Sequence, residues 1–186
     1  VRTSAIRENV MGGFYGEYNS CNWVFEENLF RDNNTNGVIS YGDVVLDACY
    51  HYTIRNNQFL PASYTPRTYH TAVSLYRNQG ETGDIREHAA HDNVIENNYI
   101  ERRNVAVDVA VRNGRPNNTI DMSLEGRCYA DRNTVRSNTF KDCVIGIILR
   151  NNFNMVDSNQ FISVQRPIVL HNVFYSMYHN TIINQS

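Results

Sequence analysis

The chain has 186 residues, 41% of them hydrophobic, which is enough for one continuous core and too many for a disordered chain. Seventeen basic residues against nineteen acidic leave a net charge of −2, so no global charge points to nucleic acid or an anionic membrane surface. No apolar run approaches the ~20 residues of a membrane helix, and Val1 opens no signal-peptide pattern.

Residues 1–186 read as a single domain, and the absence of an initiator Met reads as a processed protein or a piece of a longer one. Asn is abundant, which suits repeated turns because Asn tolerates left-handed backbone. Lys141 is the only lysine.

Along the chain an apolar residue, an Asn three later and an apolar residue two beyond recur seven times. The instances are Ile6-Asn9-Met11, Phe25-Asn28-Phe30, Ile54-Asn57-Phe59, Ile95-Asn98-Ile100, Val135-Asn138-Phe140, Val156-Asn159-Phe161 and Met177-Asn180-Ile182. Their first residues fall 19, 29, 41, 40, 21 and 21 apart, a bare coil of about 20 residues with insertions in the longer steps.

A second strand-like run lies between the motifs: 37–40, 72–75, 107–111, 146–149 and 167–170. No segment sustains a helical period. The expected fold is all-β, a right-handed parallel β-helix (solenoid) of about seven coils with insertions in the middle coils, at 41–50, 60–69, 78–91 and 113–130. The repeated Asn side chains would then stack in a structural column. Cys21, Cys49, Cys128 and Cys143 lack zinc-site spacing; they read as core thiols or disulfides, with Cys21–Cys49 one pairing open.

Insertions leaving one corner would wall a groove over the second strands, whose outward column is expected to be Glu17, Tyr41, Tyr76, Arg112, Arg150 and His171, beside Ser74 and Asp108. Arginine forks hold carboxylates or sulfates, and aromatic faces stack on sugar rings, so this column suits an acidic polysaccharide. A second outward set, Arg7, Glu26, Arg55, Glu96, Arg136 and Asp157, alternates in sign and reads as surface pairing.

The stretch Asn133-Thr134-Val135-Arg136-Ser137-Asn138-Thr139-Phe140-Lys141-Asp142-Cys143, followed by 146–151, resembles the chondroitinase-B and alginate-lyase family within the pectin-lyase-like β-helix superfamily. The resemblance covers roughly residues 130–165 and implies a catalytic role for Arg150, which stands where the family has its Leu-Arg-His-Gly arginine. Asn151 replaces the His that follows. The preceding strand offers Asp108 as one acid toward the family's calcium, without a second acid or the family's Lys.

The resemblance implies β-elimination from a uronate-containing glycan, and a glycan ligand would put the protein in an extracellular or periplasmic setting. Arg150 or Arg112 would neutralise the carboxylate, aided by calcium on Asp108, and Tyr76, His171 or Arg112 would act as base. Tyr41, Arg77, Ser74, His88 and His91 would contact substrate, with His88 and His91 also weighed as acids. Hydrolysis needs two facing carboxylates, and Asp43 and Asp108 fall on nonadjacent coils. The alternative is a noncatalytic carbohydrate-binding or adhesion module, which exposed coil ends would let associate as a homo-oligomer or with the rest of a longer chain.

Overall fold

A computed structural model describes residues 1–9, 12–16, 20–33, 42–61, 71–76, 90–109, 132–149, 153–170, 175–178 and 180–183. The described elements are all strands, arranged in three parallel sheets through which the chain passes in turn, consistent with a parallel β-helix.

Sheet I stacks Ala5–Arg7, Leu29–Arg31, Gln58–Phe59, Tyr99–Glu101, Thr139–Lys141, Gln160–Ile162 and Thr181–Ile183. Sheet II stacks Phe14–Gly16, Gly42–Asp47, Thr71–Tyr76, Val105–Val109, Ile145–Leu149 and Arg166–Leu170. Sheet III stacks Val24–Glu26, Thr53–Arg55, Val94–Glu96, Thr134–Arg136, Asn154–Asp157 and Tyr175–Tyr178.

Alternation sends one side chain of each short strand inward, and register lines these up in columns. On sheet I the column runs Ile6, Phe30, Phe59, Ile100, Phe140, Phe161, Ile182. Phe30 stacks on Phe59 at 4.7 Å and Phe140 on Phe161 at 5.0 Å. Each buried ring or branched chain contributes about 1.5–3 kcal/mol, so the core is a sum of like increments along the stack.

The Asn column exists and runs Asn28, Asn57, Asn98, Asn138, Asn159, Asn180. Each amide Nδ2 donates to the next Oδ1 at 3.0–3.1 Å, and that oxygen also accepts the backbone N–H of the residue above. Its start differs from the sequence expectation. Ile6 pairs with Phe30, so the first coil's motif is Val1, Ser4, Ile6, with Ser4 N donating to Asn28 Oδ1 at 3.0 Å. Asn9 instead donates to Asn33.

A second ladder lies outside the apolar-Asn-apolar motif: Tyr52 N donates to Asn93 Oδ1, and Asn93 and then Asn133 each donate N and Nδ2 to the Oδ1 of the next rung, ending at Asn154. It precedes the first ladder by five residues, as Asn93 precedes Asn98, Asn133 precedes Asn138 and Asn154 precedes Asn159.

The ladders, more than the turns, explain the abundance of Asn. The left-handed residue is the one before each rung, such as Glu27, Asn56, Asn97, Ser137 and Ser158, and only Asn22, Asn56 and Asn97 among the described left-handed positions are Asn.

On one coil the second strand is Gly42–Asp47, where an insertion at 41–50 was expected; 37–40 lie outside the described residues. All six residues of this strand are buried, the acidic Asp43 and Asp47 among them, so the run lacks the alternation of apolar and polar residues that marks a half-exposed strand. Cys21 is level with Tyr50, not Cys49, and Cys21, Cys49 and Cys143 are free thiols. Cys49 and Cys143 are core residues, and burial pushes the Cys143 thiol up to about 11.

Candidate functional site at the rim of sheet II

Of the expected site residues, Arg150, Arg112, His171, Tyr41, Arg77 and His88 lie outside the described residues, as does Glu17. Tyr76 ends its strand with its backbone level with Asp47, so Asp47 and not Tyr41 precedes it in the column. Ser74 and Asp108 are neighbours in register as expected, flanked by Val45 and Ile148.

These four point away from the core, since Val73, Leu75, Val107 and Val109 on either side pack into it. Yet Ser74 is 6% exposed and Asp108 2%, and Ile148 joins Val105 and Ile145 in a separate buried apolar cluster. The middle of this face is therefore shielded from solvent. Outer positions on sheet III, such as Arg55 and Arg136, remain accessible.

Calcium takes about six to eight oxygen ligands. Asp108 and Ser74 supply two side chains at most, and no cluster of three His, Cys, Asp or Glu side chains suited to a metal occurs among the described residues. The described donors do not fit a calcium site. Asp43, weighed for hydrolysis, is inside the solenoid on Arg103.

Accessible polar chemistry gathers where sheet II turns into sheet III. Tyr15, 42% exposed, donates its hydroxyl to Asp47 Oδ2 at 2.8 Å from the neighbouring coil. Tyr50 and His91 stack at 5.2 Å and 4°, held level by bridges that link Cys21, Tyr50 and His91.

His91 Nδ1 lies 2.6 Å from Asp92 Oδ2. Arg132, on the next coil, grips both oxygens of Asp92, with Nε to Oδ1 at 2.8 Å and Nη2 to Oδ2 at 2.7 Å. The Arg132 guanidinium, with His91 adding to it, holds the Asp92 carboxyl below its usual range. The Cys21 sulfur beside the Tyr50 hydroxyl pushes that phenol up.

The geometry follows from the corner. Asp92 and Arg132 adopt φ of 53° each, and stacking puts the residue of one coil directly over its successor. The sequence expectation puts His91 in a loop and does not include Tyr50, Asp92, Arg132, Tyr15 or Asp47. A usable signal was the aromatic or imidazole residue two places before a ladder position, as in Tyr50 before Tyr52 and His91 before Asn93.

The sign-alternating set on sheet III holds from Glu26 through Arg55, Glu96 and Arg136 to Asp157. Its first member is Arg2, level with Glu26; Arg7 is on sheet I opposite Arg31. Arg55 meets Glu26 at 3.0 Å and Arg136 meets Glu96 at 2.6 Å, so these charges answer one another. No protein-family model matches the chain, and no curated protein and no solved structure matches it either.

Proposed function

We propose that the chain is a right-handed β-helix of the pectin-lyase-like superfamily, nearest the chondroitinase-B and alginate-lyase group, and that it is a β-eliminating lyase acting on uronate-containing glycans outside the cytoplasm. Right-handedness follows the strong preference of parallel crossovers within one sheet. The observation that carries the reading is the rim: Tyr50 stacks on His91 of the next coil, and Arg132 of the coil after that holds Asp92 beside it, so a ring, an imidazole and a guanidinium meet across three successive coils, with Tyr15 on the sheet II side of the coil before. A glycan lying there would run parallel to the solenoid axis, with Arg150 and Arg112 as the expected carboxylate partners.

The shielding of Ser74 and Asp108 favours a second reading, in which the same rim binds acidic glycan without cutting it. The test is ultraviolet absorbance of the unsaturated uronate product on a panel of acidic polysaccharides, wild type against Arg150→Ala. Absorbance that rises for wild type and not for the variant supports the lyase. No rise on any polymer, with retention in polysaccharide-containing gels, leaves the binding reading; neither rise nor retention removes both.

A further inference from the structure

We infer that His91 is the base of that elimination, an assignment that rests on the lyase reading above. Asp92, paired twice to Arg132, is a carboxylate without a proton to give, so in its bond to His91 the ring Nδ1–H donates. That tautomer leaves the Nε2 lone pair as the basic site, and the His91 side chain keeps 22% of its surface accessible. Asp92 and Arg132 are positioning residues: they fix the tautomer and the ring plane, which Tyr50 braces on its other side at 5.2 Å.

This arrangement differs from an ordinary coil-to-coil ion pair. Arg55 on Glu26 and Arg136 on Glu96 are also rungs between coils, but neither carboxylate has an imidazole bonded to it among the described residues. At the rim the same kind of rung holds a third group, an imidazole bonded to the carboxylate.

In the step assigned here, His91 Nε2 takes the proton from the sugar carbon beside the carboxylate. The electron pair left behind forms a double bond to the neighbouring ring carbon. The glycosidic bond at that carbon breaks with its pair going to oxygen, and a water molecule protonates the departing oxygen. The hydroxide left takes the proton back from His91, so the base returns to its starting form and no oxidant or reductant enters the balance.

The experiment uses the whole chain with His91→Ala and Asp92→Asn, following the ultraviolet signal with and without free imidazole, and retention in gels containing the polymer. His91→Ala is expected to lower kcat on the order of 10²-fold to 10⁴-fold with a much smaller loss of retention, and imidazole in the buffer to restore part of the rate. Asp92→Asn is expected to lower kcat by a smaller factor with KM unchanged. A wild-type rate in His91→Ala overturns the assignment and leaves the lyase reading standing. A loss that imidazole does not rescue overturns it too and makes His91 structural. Wild type inactive on every polymer removes the lyase reading and the base with it.

Discussion

Arg103 Nη2 lies 2.9 Å from Asp43 Oδ2, and neither side chain has any exposed surface. The guanidinium also donates to the carbonyls of Leu60 and Glu101, while Asp43 Oδ1 accepts from Asn33 Nδ2. A buried pair adds little over well-packed apolar side chains, but removing one partner strands a charge at a cost of about 3–5 kcal/mol. Asp43→Ala is therefore expected to lose about that much in urea unfolding. The double variant Asp43→Leu/Arg103→Leu is expected to be more stable than Asp43→Ala; a double variant that is worse would show that the pair is net stabilising.

The Asn ladder has a weak end and a strong middle. Asn98 is 2% exposed; its Nδ2 donates to Asn138 and to the Ile54 carbonyl, and its Oδ1 accepts twice from Asn57. Asn98→Leu abandons these groups in the core, at about 1–3 kcal/mol for each one left unsatisfied. Asn180, partly buried, makes its bonds to Asn159 and Val156 where water competes. Denaturant midpoints are expected to fall much further for Asn98→Leu than for Asn180→Leu. Equal losses would mean the ladder is not the source.

Phe153 occupies left-handed backbone, φ 59°, with 67% of its surface exposed. The conformation costs a residue with a Cβ about 1–2 kcal/mol, and its exposed ring offers little packing in return. Phe153→Gly removes that strain against a smaller loss of chain entropy, so a gain of roughly 0.5–1 kcal/mol is expected in thermal unfolding. A drop in the midpoint would show that the ring packs on something that outweighs the strain.

Asp92 predicts a pH dependence. Arg132 first, and His91 after it, lower the folded-state pKa of its carboxyl, so the stabilisation is complete above the unfolded value and disappears as pH falls through the folded one. Asp92→Asn is expected to melt below wild type at neutral pH, the gap closing as the pH drops past about 3.9 toward strong acid. A gap of constant size would mean the variant loses packing and not charge.

Parallel stacking, the first ladder and most of the sheet III charge column were legible because one coil repeats the next and a repeat can be read by subtraction. Misreadings arose where the repeat was disguised. Ser4 stands where later coils have Asn, which shifted the first motif onto Asn9 and exchanged Arg2 for Arg7. Asp43 and Asp47, buried on a strand, gave Gly42–Asp47 the look of a surface insertion. The rim was hidden for a different reason: His91, Asp92 and Arg132 meet only because one coil lies over another, and forty residues of sequence separate the two sides of that contact.

The most direct test of the rim as the glycan site is a backbone amide chemical-shift titration with short acidic oligosaccharides. Shifts centred on Tyr50, His91 and Arg132, absent with a neutral oligosaccharide of the same length, are the expected result. Shifts confined to the outer positions of sheet III, or none with any acidic oligosaccharide, would contradict it.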